Sequence, residues 1–236
     1  MGKYLKSFES YNNYVAGYSS LYLPNVSLIN QNNIYYNRYH DYVEIGGIKW
    51  ATMNIGAEDI TDTGLYFQWG DIQGYQNTDN KLFTISDYDR FGVIDNNDLP
   101  NYGLNKYNTT DEKIVLENVD DAALAIWHSN WRIPTNADFQ SLNNAVNSTF
   151  TQINEVYGLL CIDKTDNTKN LFFPAAGYLY NGNQTKVNED GRYWSSSLNT
   201  SMINRSYQLG FNNNIIDFNL TNLRYIGCPI RPVFID

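Results

Sequence analysis

Residues that could perform nucleophilic or metal chemistry are few and widely separated in this sequence. The two histidines, His40 and His128, have no Cys, Asp or Glu partners at the spacing that metal ligation requires. Three serines at 195–197 follow Trp194, but no general base lies near them in the sequence. The chain also lacks a nucleophile elbow, a phosphate-binding loop and a dinucleotide fingerprint. We therefore predict that the protein is not an enzyme and that it uses neither a cofactor nor a metal.

Closely spaced aspartates raise the alternative of calcium binding. They are Asp87 with Asp89, Asp95 with Asp98, and Asp120 with Asp121. A calcium loop needs more oxygen ligands than these pairs supply and a glycine at a fixed position. We therefore favour helix capping or solvated loops for the aspartates. For the two cysteines, Cys161 and Cys228, one disulfide is possible and two buried free thiols are the favoured alternative.

The composition indicates a globular chain suited to recognition. The 236 residues are 42% hydrophobic and include 20 tyrosines together with many asparagines. Tyr and Asn combine contact area with adaptable hydrogen bonding, although an AT-rich gene would produce the same bias. The net charge of −9 argues against nucleic acid and anionic membranes as partners. Because we find neither a signal peptide nor an apolar segment of membrane-spanning length, we expect synthesis in a cytoplasm and no membrane insertion.

The patterning predicts an α+β domain over residues 42–236, with two helices, short antiparallel strands and long loops. Gly46–Gly47 predicts a hairpin, and residues 53–118 read as long loops. One helix is expected from Asp120–Asp121 to Trp127, and a second after Thr135, whose apolar stripe includes Val146. Short strands are expected at 158–162, 171–173, 193–196, 206–211, 215–218 and 228–233. Residues 1–41 contain short β-prone runs split by Pro and Asn, which predicts an extended arm. Because so short a segment cannot form a core alone, we expect it to pack against the main domain, a symmetry mate or a larger assembly.

Seven short motifs follow one another in this second part of the chain. They are KWATMNIGA at 49–57, YFQWG at 66–70, DDAA at 120–123, WRIPT at 131–135, LFFPAAGY at 171–178, YWSSS at 193–197 and IRPV at 230–233. The series resembles the Fibrobacter succinogenes major paralogous domain, over roughly residues 42–236. This resemblance implies a C-type-lectin-like fold of the formylglycine-generating-enzyme type. Those enzymes use a pair of cysteines to bind copper, and Cys161 and Cys228 do not match that pair.

Most of the motif residues have a structural interpretation. Trp50, Trp69, Trp131 and Trp194 offer large apolar bodies with one N–H donor each, which suits a loop-rich core. Arg132 and Arg231 lie in otherwise apolar strands and are expected to tie loops down through bidentate hydrogen bonds. The run at 174–177 (PAAG) predicts tight packing where a bulky side chain would clash.

The Asn-rich stretch 198–224 is the predicted ligand face, because polar residues alternate there with apolar ones such as Leu209 and Phe218. It resembles the variable region of lectin-like proteins diversified by retroelements; an ordinary Asn-rich binding face and a solvated loop without a ligand are the alternatives. Tyr207 or Tyr225 would supply aromatic stacking. The predicted ligand contacts are Asn199, Asn204, Arg205, Gln208, Asn212, Asn213, Asn214, Asp217 and Asn219.

Residues 23–37 (LPNVSLINQNNIYYN) resemble the opening of virion proteins from crAss-like Bacteroides phages. This resemblance implies a virion protein, such as a head or tail fibre or a capsid decoration, that contacts other virion proteins through its arm. Its expected partner outside the particle is a host cell-surface glycan or protein, and we expect a homo-oligomer, a dimer or a trimer. The alternatives are a bacterial surface adhesin and a purely structural virion protein that binds other proteins.

Overall fold

Two glycines with positive φ close the first hairpin, as the sequence predicts. Gly46 and Gly47 have φ of 63° and 75° and join β1 (Tyr42–Ile45) to β2 (Ile48–Ala51). The structure, a computed structural model, describes residues 40–90, 103–128 and 130–236. The predicted arm, residues 1–41, therefore lies outside the described residues except for its last two positions.

The first sheet joins the start of the described chain to its end. Its strand order is β1-β2-β12-β3, with β12 (Val233–Phe234) between β2 and β3 (Trp131–Arg132). Both neighbours of β12 are antiparallel to it. The last residues of the chain thus hold two distant segments together.

Both predicted helices are confirmed, and each is short. Helix α1 (Ala122–Trp127) begins at Asp121, whose carboxylate accepts hydrogen bonds from the backbone N–H groups of Ala123 and Leu124. Helix α2 (Asn136–Ala145) begins at Thr135, which forms a capping box with Asp138. Two 3-10 helices, Ile85–Asp87 and Asn118–Asp120, interrupt the described parts of the long loop region between β2 and α1.

The chain turns directly from α2 into a second antiparallel sheet. Val146, which the sequence assigned to the helix, is the first residue of β4 (Val146–Ile153). β4 pairs with β5 (Val156–Asp163), and β5 pairs with β6 (Asn170–Pro174). The small hairpin of β7 (Tyr178–Tyr180) and β8 (Asn183–Thr185) follows.

The central sheet has the order β11-β10-β9 and carries the predicted ligand face. It consists of β9 (Asp190–Leu198), β10 (Arg205–Asn212) and β11 (Ile216–Leu223). Adjacent residues of β9 belong to different cores, since Tyr193 packs in one buried cluster and Trp194 in another. The sheet therefore separates two hydrophobic clusters and is buried on both faces over much of its area.

Buried tryptophan N–H groups connect the segments around this sheet, in line with the structural interpretation of the motifs. Trp69 Nε1 donates to the carbonyl of Ser195 at 2.7 Å, and Trp194 Nε1 donates to that of Phe67 at 2.8 Å. Each bond satisfies a buried donor that would otherwise be costly to desolvate. The central strand and the loop at 67–69 are therefore fixed relative to each other.

The predicted fold class requires correction. The structure is mostly β, with 39% strand and 12% helix, and its strands form four small antiparallel sheets. It does not show the expected C-type-lectin-like α+β domain. The helices are confirmed as elements, but they are short. The strands β5, β6, β9, β10 and β11 are longer than predicted, and β4 is unexpected. In the described ranges, no helix has the length and apolar character needed to cross a membrane.

Candidate functional site

The turn between β10 and β11 presents two asparagine side chains to solvent. The Asn212 side-chain oxygen accepts hydrogen bonds from the N–H groups of Asn214 (2.8 Å) and Ile215 (3.1 Å). Asn213 and Asn214 are exposed, and Ile215 is 60% exposed. Asn212 thus stabilises the turn from within, and the next two asparagines remain available for contact. We call residues 212–217 the hairpin tip.

Close packing below the turn anchors the hairpin tip. Phe211 and Phe218 are both buried in one hydrophobic cluster. The Phe211 ring occupies the space that a Cβ on Gly191 would need, and Leu220 does the same above Gly210. Any residue larger than glycine at position 191 or 210 would displace the Phe211 or Leu220 side chain. This close packing gives the hairpin one defined position relative to the core.

Two polar residues of β11 continue the surface beyond the turn. Asp217 is half-buried, and its carboxylate accepts a hydrogen bond from the Asn219 N–H at 2.8 Å. The exposed Asn219 accepts a bond from the side-chain amide of Asn136 at 2.8 Å. Gln140 also donates to the carbonyl of Phe218 at 2.9 Å. Helix α2 therefore braces β11, and Asp217 is the charged group nearest the turn in the sequence.

Three of the predicted contacts lie at the opposite end of β10. Asn199 is buried, and its side chain accepts hydrogen bonds from the N–H groups of Ser201 and Met202, so it stabilises the β9–β10 connection. Asn204 and Arg205 are half-buried, and Arg205 donates to the carbonyl of Thr221 at 3.3 Å. The eight residues of β10 span about 23 Å, so these groups and the hairpin tip cannot contact the same small ligand.

Gln208 is fully buried in the middle of β10 and faces away from solvent. Its side-chain oxygen lies 3.9 Å from the Cys228 thiol, and its Nε2 has no hydrogen-bond partner in the described part of the chain. The sequence placed Gln208 among the ligand contacts because it could not show which side of the strand the side chain occupies. A ligand on the surface does not reach this position.

A tyrosine pair supplies the aromatic element of the surface near Arg205. The rings of Tyr180 and Tyr225 lie 6.4 Å apart at 32°, and Tyr180 is 45% exposed. Burial and the nearby Tyr180 raise the pKa of Tyr225, and the positive charge of Arg205 acts in the opposite direction. Tyr225 was one of the two predicted stacking residues, whereas Tyr180 was missed; its place in a β-hairpin next to Asn-rich turn residues was the available signal. We call Tyr180, Tyr225 and Arg205 the tyrosine cluster.

The two cysteines are free thiols buried in different parts of the core. Cys161 belongs to the hydrophobic cluster of Tyr193 and Cys228 to that of Trp194. Burial raises the pKa of Cys161 to about 12, which holds the thiol in its unreactive protonated form. Burial also raises the pKa of Cys228.

Three of the closely spaced aspartates act as capping or ion-pairing groups. Asp87 accepts hydrogen bonds from the N–H groups of Phe83 and Thr84, and Asp121 caps α1. Asp120 pairs with Arg90 and Lys106. Asp95 and Asp98 lie outside the described residues. Residues 40–90, 103–128 and 130–236 contain no group of three or more His, Cys, Asp or Glu residues that could hold a metal ion.

Residues 162–233 match the family model of a domain of unknown function, DUF8237. The match covers less than a third of the chain and includes the whole central sheet and the hairpin tip. Comparison with curated proteins and with solved structures gives no match. The matched residues therefore include the candidate hairpin, but the family model assigns no activity to them.

Proposed function

We propose that this chain is a non-enzymatic recognition protein of a phage particle, and that its β10–β11 hairpin contacts a glycan of the host cell surface. The observation that carries the proposal is the exposure of Asn213 and Asn214 on a turn whose base is closely packed and hydrogen-bonded. Such a turn presents polar groups without ordering a flexible loop on binding, which lowers the entropic cost of association.

The chemistry of the hairpin tip matches sugar hydroxyls. Each asparagine amide offers two donors and one acceptor oxygen, and the Asp217 carboxylate offers further acceptors. A sugar hydroxyl both donates and accepts, so it can bond to either kind of group. The exposed Ile215 and Ile216 provide apolar contact for the carbon faces of a sugar ring.

The tyrosine cluster provides a second contact for the same class of ligand. Tyr180 and Tyr225 offer ring faces for stacking, and Arg205 offers donors beside them. Since β10 separates Arg205 from the hairpin tip by about 23 Å, one sugar residue cannot reach both. We therefore propose a polymeric or branched glycan as the ligand class.

The placement on a virion rests on the sequence. Residues 23–37 resemble the opening of phage virion proteins, and an arm of this kind can anchor a protein in an assembly through backbone hydrogen bonds. In this proposal the arm binds other virion proteins and residues 42–236 face the host.

A panel of immobilised surface polysaccharides extracted from Bacteroides strains tests the function. The full chain is expected to bind at least one of them, and N213A/N214A should weaken that binding at least about tenfold, the effect of losing one or two good hydrogen bonds. Retention of full affinity by N213A/N214A would exclude the hairpin tip as the contact. Failure of the full chain to bind any polysaccharide, together with capture of another virion protein, would favour a purely structural role.

A further inference from the structure

Strand β4 forms a long edge of the second sheet. It has eight residues, Val146–Ile153, and it is the terminal strand in the order β4-β5-β6. All eight residues pair with β5 in one continuous register without a bulge. Within the ranges that the structure describes, no strand pairs with the outer side of β4.

The hairpin geometry shows which backbone groups this edge offers. Asn154 and Glu155 have φ of 47° and 67°, so they form the two-residue turn in which the flanking pair Ile153 and Val156 is hydrogen-bonded. Alternate residues of β4 then direct their N–H and C=O groups away from β5. These residues are Val146, Ser148, Phe150 and Gln152, and the N–H of Val146 already donates to the Leu142 carbonyl, so the last three offer both groups.

The bonds on the far side of β5 agree with this alternation. Tyr157 accepts from the Ala175 N–H at 2.7 Å, and Asp163 donates to the Lys169 carbonyl at 3.0 Å. Tyr157 lies opposite Gln152, and Asp163 lies opposite Val146. Since the backbone groups of these β5 residues point toward β6, those of the β4 residues opposite them point toward the open edge.

The edge lacks the features by which proteins usually prevent strands from pairing. The sequence VNSTFTQI contains no charged residue, no proline and no glycine. The other long edge strands differ, since β9 carries Asp190 and Arg192, and β11 carries Asp217 and has a register shift against β10. In a chain with a net charge of −9, β4 is thus an uncharged edge where a second chain can approach without repulsion.

We propose that β4 pairs with β4 of a second copy of this chain, forming a two-fold symmetric dimer with one continuous six-stranded antiparallel sheet. The register in which all three outward residues pair with one another places the two-fold axis at Phe150, which sets Ser148 opposite Gln152 and Thr149 opposite Thr151 of the other copy. At the ends of the strand, Glu155 lies in the turn, and Lys164, whose N–H bonds to the Ala145 carbonyl, lies beside Val146 together with Asp163. Antiparallel pairing brings the turn end of one copy to the helix end of the other.

The register allows a charge-pairing experiment on the full chain. Thr149 is exposed and Thr151 half-buried, so both positions accept a charged side chain at the rim of the sheet. In T149K/T151K each lysine faces a lysine of the other copy, whereas in T149K/T151E each lysine faces a glutamate. The two variants change the same positions, and the contacts across the axis repel in the first and attract in the second.

The mass in solution is measured by analytical ultracentrifugation over a wide range of protein concentrations. Native protein and T149K/T151E should have twice the chain mass of 27.2 kDa, and T149K/T151K should dissociate with a Kd at least about tenfold higher. A cooperative thermal unfolding transition in each variant establishes that it is folded. A native chain that stays monomeric, a stoichiometry other than two, or equal dissociation of the two variants would overturn the proposal.

Hydrogen exchange on the native chain gives a second measurement that needs no substitution. The N–H groups of Ser148, Phe150 and Gln152 should be protected at high concentration and lose that protection on dilution. Protection that does not change with concentration would contradict pairing with a second copy.

Discussion

Arg231 is a fully buried cation whose hydrogen-bond acceptors are neutral. Its guanidinium donates to Asn54 at 2.9 Å, to the carbonyls of Ala51 (3.1 Å) and Thr52 (2.5 Å), and to that of Phe172 at 2.9 Å. Burial lowers the pKa of Arg231 to about 10, because the charged form is desolvated and no carboxylate compensates for it. The residue joins three chain segments, as the motif analysis predicted, but it does so through four separate acceptors and not through a bidentate pair.

We expect R231K to destabilise the protein by about 3 kcal/mol or more, because lysine keeps the charge but cannot reach all of these acceptors, and each unsatisfied buried acceptor is costly. Urea denaturation measures the change in the free energy of unfolding. R205K is the matched control; Arg205 is half-buried and donates one bond of 3.3 Å, so its change should stay below about 1 kcal/mol. Equal losses in the two variants would contradict the role assigned to Arg231.

Asp138 makes stability depend on pH at the start of α2. Burial alone would raise its pKa, but hydrogen bonds from Arg132 (2.6 Å) and Thr135 outweigh it, and the pKa of Asp138 is lowered. A carboxylate with a lowered pKa contributes stability above its unfolded pKa and loses that contribution as the pH falls through its folded pKa.

We expect D138N to be less stable than the native protein by about 1–2 kcal/mol above pH 5, since the variant loses the charge that Arg132 pairs with. The difference should begin to shrink near about pH 4, where the carboxyl of the unfolded chain is protonated, and should be lost once the pH falls below the lowered folded pKa. The stabilities of D138N and of the native protein are compared by thermal unfolding at pH values from 7 to 2. A difference that stays constant across this range would show that the ionised carboxylate is not the stabilising group.

At the level of elements, Gly177 fixes the connection between β6 and β7. Its φ is 64°, and a Cβ at this position would collide with the carbonyl oxygen of Thr185 and with the backbone at Lys186. The preceding Ala175 and Ala176 are also fully buried. The tight packing that the sequence predicts at 174–177 is confirmed.

G177A should therefore destabilise the protein by about 3 kcal/mol or more, by adding overpacking to the cost of a positive φ. G47A is the control, because Gly47 has φ of 75° but no atom within 4 Å of the added Cβ. Only the conformational cost of about 1–2 kcal/mol remains there. Chemical denaturation compares the two, and a larger loss for G47A would contradict the steric account.

Local signals predicted several elements well, and tertiary pairing decided the others. The Gly46–Gly47 hairpin and the caps of α1 and α2 depend on residues close in sequence, and all three are confirmed. β4 was missed because Val146 fits the helical spacing and the polar strand after it has weak alternation. The strand predicted at 228–233 is reduced to Val233–Phe234, since Pro229 and Pro232 lack the N–H that a ladder needs.

For the molecule as a whole, the sequence did not predict which strands pair. β12 pairs with β2 and β3, which are far from it in the chain, and the central sheet is enclosed by two separate clusters. Such long-range pairings produced a mostly β structure in place of the predicted α+β class. Motif order alone carries no information on the number of sheets.

The same limit applies to the candidate site. The sequence shows which residue types are present, but it does not show which way each side chain points. The Asn-rich composition led to the β10–β11 hairpin, where Asn213 and Asn214 are exposed. It also led to Gln208 and Asn199, which are buried, because β10 is covered by β9 and β11 with a register shift against each, and because a turn uses the Asn199 side chain internally. Composition located the surface, and the strand register decided which side chains face it.

The most direct test of the central claim, that the hairpin tip contacts the host ligand, is flow cytometry of full-chain protein bound to intact Bacteroides cells. N213A/N214A should have the same unfolding temperature as the native protein, because both side chains are exposed. It should nevertheless bind cells at least about tenfold more weakly. The control N167A/N170A removes two exposed asparagines, one in the connection between β5 and β6 and one at the start of β6, and should bind like the native chain. Native binding by N213A/N214A, or an equal loss in N167A/N170A, would contradict the assignment of the hairpin tip as the recognition surface.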